Sequence, residues 1–365
     1  MSPFRVIHSC IATLSILCTL LFIVATYSDY VSPSQSVFFS YLGLLFPFFF
    51  ILNVCVLLYW LIIRKWLMVF VVVCSFFVCW KPIAHYAPLH PFPTDISQKD
   101  VFKILTYNVM AFGYKNHTPD NPNAVLQYIA DSGADIVCLQ EYVVGRQVSY
   151  ITQEKVDQAL NMYPYYEIIP LVQKKRYAGA LAIFSKYPIL SSRRILYDSA
   201  INGSSIHEID IKGKKLFVVN NHLESFKLTM EDRTAYADFI RNMNTETFDD
   251  LKETIQQKMG EAFLIRAEQA EIIADEIKNL KGEYLIVCGD FNDSPISYSR
   301  RIMQGKLIDA FAASGTGIGV TYNQNYFRFR IDYILHSPNM KAYNAKVDKV
   351  AISDHYPIWC YLEMK

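Results

Sequence analysis

The chain has 365 residues, of which 52% are hydrophobic and 15% aromatic, and its formal net charge is +1. The first 97 residues hold only four of the 35 basic and two of the 34 acidic residues, so the remainder is close to neutral. That balance argues against a non-specific binder of duplex DNA, because such proteins carry a strongly basic face. The eight cysteines include no Cys-x-x-Cys pair, and no disulfide framework is predicted.

Three apolar runs near the N-terminus predict membrane-spanning helices, at about 9–27, 37–63 and 66–80. A helix needs roughly 20 apolar residues to cross the hydrocarbon core, so the first two runs are long enough and the third is short. A buried helical core is one alternative, and a cleaved signal peptide is another for the first run. We expect an integral protein of the inner membrane, with a three-helix anchor in residues 1–82.

The positive residues around these runs predict how the chain is oriented. Arg5 precedes the first run, and Arg64 and Lys65 separate the second from the third, whereas the loop between the first two runs has no Lys or Arg. Positive residues favour the cytoplasmic side, so three crossings place the following domain outside the cytoplasm, and two would return it there. The proline-rich segment 83–99 predicts an extended tether, leading to a domain at 100–365.

In the domain, short apolar runs repeatedly end in a polar residue. The runs "FKILTYN", "DIVCLQE", "KKLFVVNNH" and "YLIVCGD" end at Asn108, Glu141, His222 and Asp290. Each polar residue alone has a local explanation, such as an Asx-turn or a cap. Together they indicate a polar site at the ends of rigid strands, because clustered carboxylates are costly unless a cation or a phosphate balances them.

The segments "TYNV", "CLQE", "NNHLES", "GDFND", "RIDYIL" and "SDHYPI", in this order, resemble the endonuclease/exonuclease/phosphatase (DNase I-like) superfamily. The resemblance covers about 101–365 and suggests a membrane-anchored, bacterial-type member. It implies an α/β (α+β) fold, a four-layer α/β sandwich of two packed mixed β-sheets flanked by helices. It also implies a metal-dependent hydrolase that acts on phosphoric ester bonds.

The same resemblance implies a metal site and a set of catalytic residues. Glu141, Asn108 and Asp354 match the metal-binding positions, whose oxygen donors suit Mg²⁺ or Mn²⁺. Asp290 matches the residue that orients or deprotonates the attacking water, and Asn292 the one that holds phosphate. His355 matches the catalytic histidine, and Asp332 the carboxylate that fixes its tautomer and charge. His222 matches a donor to the phosphate or the leaving group. Arg176 and Asn221 are implied to bind substrate. A solvated loop arginine remains an alternative for Arg176.

The leading interpretation is a membrane-tethered, Mg²⁺-dependent phosphodiesterase of nuclease-like type, whose substrate is a nucleic acid or a phospholipid. Alternatives are a phospholipid or sphingomyelin-type phosphodiesterase, an inositol-phosphate phosphatase, and, from another class, a non-catalytic membrane binding module. The N-terminal helices imply contact with the lipid bilayer, and no protein partner is evident. A helical insertion at about 228–262 could be a lid, a membrane-facing arm or a packed surface helix.

Overall fold

The computed structural model describes residues 3–118, 120–145, 150–174, 177–199, 201–229, 231–232, 234, 248–324 and 327–365. Its N-terminal part is helical. The helices are α1 (Pro3–Thr26), α2 (Val37–Leu44), α3 (Phe46–Ile63), α4 (Trp66–Val78) and α5 (Trp80–Tyr86). His8–Thr26 and Phe46–Ile63 are long and apolar enough to cross a membrane, and α4 with α5, bent by 63°, makes a third candidate if the pair counts as one span.

The second apolar run is not one continuous helix, contrary to the sequence prediction. It divides at Leu45 into α2 and α3, and Pro47 lies in the first turn of α3. Proline has no backbone N–H to continue a preceding helix, but it is well suited to a helix start, which accounts for the break. Of the two helices in this run, only α3 is long enough to be a candidate span. Helix α2 packs against the domain instead.

The domain contains fourteen described strands, a short turn at Met110–Gly113 with left-handed backbone angles, and five further helices. The strands are β1 (Val101–Asn108), β2 (Ile136–Gly145), β3 (Tyr165–Gln173), β4 (Tyr177–Ser185), β5 (Ile189–Ile195), β6 (Gly203–Ile211), β7 (Lys214–His222), β8 (Tyr284–Asp290), β9 (Ile308–Asp309), β10 (Tyr322–Gln324), β11 (Phe327–Phe329), β12 (Asp332–His336), β13 (Met340–Val347) and β14 (Ile358–Met364). The helices are α6 (Ala124–Asp131), α7 (Gln153–Ala159), α8 (Phe248–Lys278), α9 (Tyr298–Gln304) and α10 (Ala310–Ser314).

These strands form two six-stranded mixed sheets, in the orders β13-β14-β1-β2-β4-β3 and β5-β6-β7-β8-β12-β9, and a two-stranded ribbon, β10-β11. One apolar cluster, which includes Ile104 and Ile286, fills the space between the sheets. Two others, including Leu126 and Ile273, pack α6 and α7 on one sheet and α8 and α9 on the other. The predicted four-layer α/β sandwich is confirmed.

Strand pairing brings the polar strand ends together at one edge. β1 and β2 run parallel with Asn108 opposite Gln140, and β7 and β8 run parallel with His222 opposite Asp290. β12 is antiparallel to β8, with Asp332 opposite Asp290. Polar groups from both sheets therefore meet at the same end of the sandwich.

Residues 80–86 are helical, so the first four residues of the segment predicted as an extended tether, 83–99, belong to helix α5. Beyond them, Leu89 forms an isolated β-bridge with Thr316, and the backbone of Thr94 exchanges two hydrogen bonds with the Asn344 side chain. The segment between anchor and domain is thus fastened to the domain along part of its length. The predicted insertion at 228–262 is described only in part: its C-terminal portion belongs to α8, and 235–247 lie outside the described residues.

The N-terminal helices also pack directly against the domain. Ile296, in the loop after β8, is buried in a cluster with Phe22 of α1 and Phe46 of α3. Gly43 of α2 lies so close to this loop that a Cβ there would sit 2.5 Å from the carbonyl oxygen of Ile296. The guanidinium of Arg330, just before β12, donates to the carbonyl oxygen of His85 in α5. Helices α1, α2, α3 and α5 therefore contact two segments of the domain that carry predicted site residues.

Candidate active site

The end of β8 and the loop that follows it have backbone angles that few residue types can adopt. Gly289 has φ 121°, and a Cβ there would lie 2.1 Å from the carbonyl oxygen of Asn221 on the neighbouring strand. Only glycine fits this approach. The chain then turns at Asn292, which has φ 52° and donates its backbone N–H to Asp290 Oδ1 at 2.8 Å. The turn holds the Asp290 carboxylate at the end of its strand.

Asp332, His355 and Asp290 form a buried row. His355 Nδ1 is 2.9 Å from Asp332 Oδ2, and His355 Nε2 is 3.6 Å from Asp290 Oδ2. The second Asp332 oxygen, Oδ1, is buried and has no hydrogen-bond partner. The Tyr322 ring packs edge-on against the imidazole at 5.1 Å. His355 is therefore fixed between two carboxylates, with Nδ1 directed to one and Nε2 to the other.

Asn108 connects the two sheets across the site. Its side-chain amide donates to Glu141 Oε1 and to Asp290 Oδ2, both at 3.1 Å. Its Oδ1 accepts from the backbone N–H of Met110, the first of five consecutive residues with positive φ. Glu141 lies at an irregularity in the β2–β4 register and has φ 49°. The Glu141 side chain is 38% exposed and that of Asp290 is 1% exposed, so Glu141 is the more open of the two carboxylates that Asn108 contacts.

His222 completes the cluster from β7. Its Nε2 lies 3.7 Å from Glu141 Oε1 and 3.8 Å from Asp290 Oδ2. Burial lowers the pKa of His222, although Asp290 opposes this effect. The neutral form that this shift favours can hold its proton on Nε2, the nitrogen that faces the two carboxylates.

The environment moves the pKa values of Asp290 and His355 in ways that suit acid–base work. Burial raises the pKa of Asp290 to about 6, despite the opposing charge of His355. Burial alone would lower the pKa of His355, but the carboxylates of Asp332 and Asp290 outweigh it and raise that pKa to about 10. At neutral pH the cluster therefore pairs a carboxylate able to accept a proton with a charged imidazolium.

These groups surround a cavity of about 130 Å³. Its polar wall is formed by Glu141, His222, Asp290, Asn292, Asp354 and His355. Its apolar wall includes Phe226, Leu228 and Ile331. The predicted ligand Asp354 is half-buried and reaches the cavity, where Ser353 Oγ lies 3.3 Å from its Oδ1. The cavity thus combines an anionic, oxygen-rich side with a hydrophobic side.

The oxygen donors at the cavity fit a hard divalent cation. Asp290, Asp332 and His355 have potential ligand atoms within 4.8 Å of one another, but Asp332 and His355 are already paired with each other. The more open set consists of Glu141 and Asp354 with Asn108 beside them. Carboxylate and amide oxygens are ligands that Mg²⁺ and Mn²⁺ prefer, and the surplus of carboxylates favours binding of a cation.

One predicted substrate-binding residue, Asn221, is not brought to this cavity. Asn221 donates its side-chain amide to the carbonyl oxygens of Val219 and Cys288, and it does not line the cavity. Side chains alternate along a strand, so His222 points to one face of β7 and Asn221 to the other. The structure thus gives no support to substrate binding by Asn221. Arg176 lies outside the described residues.

Sequence reasoning did not identify three residues that contribute to the site. Lys227 lines the cavity, with its Nζ 2.8 Å from Glu224 Oε1. Tyr322 packs on His355, and Thr321 Oγ1 accepts from the backbone N–H groups of Ile331 and Asp332. None of the three ends a predicted strand, which was the signal used. The basic charge of Lys227, two residues after "NNHLES", is the one clue that could have drawn attention to it.

The chain resembles known proteins mainly over this domain. The model of the endonuclease/exonuclease/phosphatase family matches residues 105–355, more than half of the chain. A second model, described as a domain of unknown function (DUF8431), matches residues 8–86. No curated protein sequence matches the chain.

Solved structures share the fold. The endonuclease/exonuclease/phosphatase from Beutenbergia cavernae is 15% identical, with 72% of each chain covered and a TM-score of 0.50. The family protein from Bacteroides thetaiotaomicron is 17% identical, with 72% of this chain and 94% of that one covered and a TM-score of 0.48. D. rerio TDP2 complexed with a single-strand DNA product is 16% identical, with 73% and 100% covered and a TM-score of 0.46.

Proposed function

The chain belongs to the endonuclease/exonuclease/phosphatase family and is a metal-dependent hydrolase of phosphoric esters, and from this premise we propose that it is a membrane-tethered, Mg²⁺-dependent phosphodiesterase. The observation that carries the proposal is the row Asp332–His355–Asp290 beside Glu141 and Asn108, at the mouth of one cavity. A non-catalytic binding module would have no use for a charged imidazolium and a proton-accepting carboxylate 3.6 Å apart.

Asp290 is the proton acceptor for the attacking water in this proposal. Its carboxylate is held by the amide of Asn108 and the backbone N–H of Asn292. Burial raises its pKa to about 6. A base with a pKa just below the working pH is mostly ionised and still has useful proton affinity, which is the best compromise for general base catalysis.

His355 is the cationic donor. Asp332 holds it through Nδ1, so that its Nε2 proton is available to a phosphoryl oxygen or to the leaving alcohol oxygen. His222 supplies a neutral donor from the adjacent strand. The Asn292 amide donates to the carbonyl oxygen of Leu223 at 2.8 Å and keeps a second proton for a ligand. Together these donors match the negative oxygens of a phosphate ester.

Glu141, Asn108 and Asp354 are the residues proposed to hold the metal. A divalent cation bound there neutralises charge on the phosphoryl oxygens. Mg²⁺ is the first choice and Mn²⁺ the second, because the donors are oxygens. Glu141 reaches the cavity from β2 and Asp354 from the turn before β14, so this group joins residues that are far apart in sequence.

Two or three N-terminal helices have the length and hydropathy to cross a membrane. We place the anchor in residues 1–82, a tether in 83–99 and the catalytic domain in 100–365, so that helix α5 (Trp80–Tyr86) crosses the boundary between anchor and tether. The positive residues Arg5, Arg64 and Lys65 favour a catalytic domain outside the cytoplasm if three spans are present. A reporter fused after Lys365 that is active only in the cytoplasm would refute this orientation.

The proposed activity can be tested with the full-length protein in detergent and bis-p-nitrophenyl phosphate as substrate. We expect hydrolysis that requires Mg²⁺ and falls by at least ~10²-fold in Asp290→Asn and in His355→Gln. Asp348→Asn is the matched control, because the Asp348 carboxylate binds Tyr128 and Trp359 and does not line the cavity. Wild-type protein without Mg²⁺-dependent hydrolysis, or variants with wild-type rates, would refute the proposal.

A further inference from the structure

The loop after β8, which carries Asn292, packs against the N-terminal helices. Ile296 packs with Phe22 and Phe46, which belong to helices α1 and α3. Only three residues lie between Asn292 at the cavity and Ile296, and the four Cα–Cα steps that join them reach at most ~14 Å. The headgroup layer on one side of a bilayer is about 5–8 Å deep, so helices α1 and α3, if they span a bilayer, would hold the cavity near the lipid phosphates.

The apolar wall of the cavity continues into the anchor. Phe226 lines the cavity, and its ring packs edge-on against Phe263 of α8 at 5.3 Å. Phe263 packs in the same way against Tyr41 of α2, also at 5.3 Å. Tyr41 also donates from its hydroxyl to the carbonyl oxygen of Gln256. Three consecutive rings therefore connect the catalytic cavity to the helix that immediately precedes span α3.

An open cleft of about 650 Å³ lies at the far end of this connection, between α2 and α8. Val37, Phe38 and Tyr41 line it from α2, and Gly260 and Leu264 line it from α8. Phe38 is 60% exposed and Leu264 is 43% exposed. Glu253, Gln256 and Gln257 form a polar part of its wall. The cleft thus offers an apolar surface on its α2 side and at Leu264, beside a predicted span, where hydrocarbon would be the neighbouring solvent.

The charges around the cavity do not suit a long polyanion. Among the described residues that line it, Lys227 is the one lysine or arginine, and it is paired with Glu224. Binding to a nucleic acid backbone relies on several Lys and Arg contacts to successive phosphates. With one such residue in its described lining and an apolar wall, the cavity is better matched to a single phosphate attached to hydrocarbon.

We propose that the substrate is a lipid phosphodiester of the bilayer, with its phosphate at Asp290 and His355 and an acyl chain in the α2–α8 cleft. This inference rests on the proposed hydrolase function. Water attacks phosphorus, the bond from phosphorus to one alcohol oxygen breaks, and Asp290 accepts the water proton. His355 gives its proton to the leaving alcohol and regains one from Asp290, 3.6 Å away. The products are a phosphomonoester and an alcohol, and one of them stays in the membrane.

The test uses the full-length protein in nanodiscs that contain phosphatidylethanolamine, phosphatidylglycerol, phosphatidylcholine, cardiolipin and sphingomyelin, with Mg²⁺ and product detection by mass spectrometry. We expect hydrolysis of at least one of these lipids, more than 10-fold faster than that of its short-chain, water-soluble analogue or of a single-stranded DNA oligonucleotide. Hydrolysis of the oligonucleotide alone, of no lipid in the panel, or equal rates for long and short chains would overturn the inference.

Leu264→Arg tests the cleft itself, because it places a charge where the chain would lie. We expect lipid hydrolysis to fall at least 10-fold while hydrolysis of bis-p-nitrophenyl phosphate stays within twofold. Leu190→Arg, at a residue of β5 that is 53% exposed, is the matched control and should change neither rate. Unchanged lipid hydrolysis in Leu264→Arg overturns the proposed site. Wild-type protein inactive on bis-p-nitrophenyl phosphate would instead count against the hydrolase function itself.

Discussion

Replacement of Asp332 by Asn separates the charge of His355 from its position. Asn has nearly the same shape as Asp, and its side-chain oxygen can still accept from His355 Nδ1, where Asp332 Oδ2 now lies at 2.9 Å. The neighbouring Oδ1 position has no partner in the wild type, so the new amide nitrogen displaces no hydrogen bond. The main loss is therefore the negative charge.

The size of the effect follows from the pKa of His355. In the wild type, carboxylates that include Asp332 raise this pKa to about 10 against the effect of burial, so His355 is almost fully charged at pH 7.5. With its pKa back near the ordinary value of about 6.5, roughly one molecule in ten is charged at that pH. If the rate follows the charged fraction of His355, kcat should fall by about 10-fold at pH 7.5.

The pH profile distinguishes this mechanism from simple damage. In Asp332→Asn the rate should decline from about pH 6.5 upward, whereas the wild type should keep its rate until the pH approaches about 10. The measurement is kcat for bis-p-nitrophenyl phosphate from pH 6 to 10 at saturating Mg²⁺, with Asp348→Asn as control. A variant with a wild-type profile and a rate within threefold would refute the assigned role of Asp332.

Three further predictions follow from the same geometry. Glu141→Gln should raise the Mg²⁺ concentration for half-maximal activity by at least ~10-fold, because one anionic oxygen donor is lost; an unchanged Mg²⁺ titration would show that Glu141 is not a ligand. Gly43→Val should lower the melting temperature in detergent by the equivalent of about 1–3 kcal/mol, because its Cβ would meet the Ile296 carbonyl oxygen at 2.5 Å, and an unchanged melting curve would contradict the observed packing. With a chelator present to remove metal ions, the raised pKa of His355 should contribute a few kcal/mol to the free energy of unfolding, present below about pH 6.5 and lost as the pH rises to about 10. Denaturant unfolding of His355→Gln should lack this pH dependence. An equal dependence in both proteins would refute this contribution of His355.

Much of the fold and site could be predicted from sequence because strand ends carry their own signal. Abrupt changes from apolar to polar residues at Asn108, Glu141 and Asp290 indicated where strands stop, and motif order indicated that they meet. Asn221 shows the limit of that signal, because a strand end does not specify which face a side chain takes. The alternation of side chains from His222 back along β7 would have assigned Asn221 to the other face.

Other features depend on tertiary contacts that leave no periodic trace. The division of the second apolar run was signalled by Pro47, but hydropathy alone favoured one long helix. The role of α2 as a support for the domain appears only when Gly43 and Tyr41 are seen against the β8 loop and α8. Lys227 and Tyr322 likewise reach the cavity through the path of their loops, not through any local pattern.

The burial of Ile296 among the anchor helices bears on how this protein should be handled in the laboratory. A water-soluble fragment that starts near residue 98 would retain each proposed catalytic side chain, yet it would uncover Ile296 and remove the His85 carbonyl that pairs with Arg330. Both groups flank segments that hold Asp290 and Asp332. Such a fragment would therefore tend to aggregate and to misplace its own catalytic groups, and poor turnover by it would reflect lost support rather than an inert enzyme.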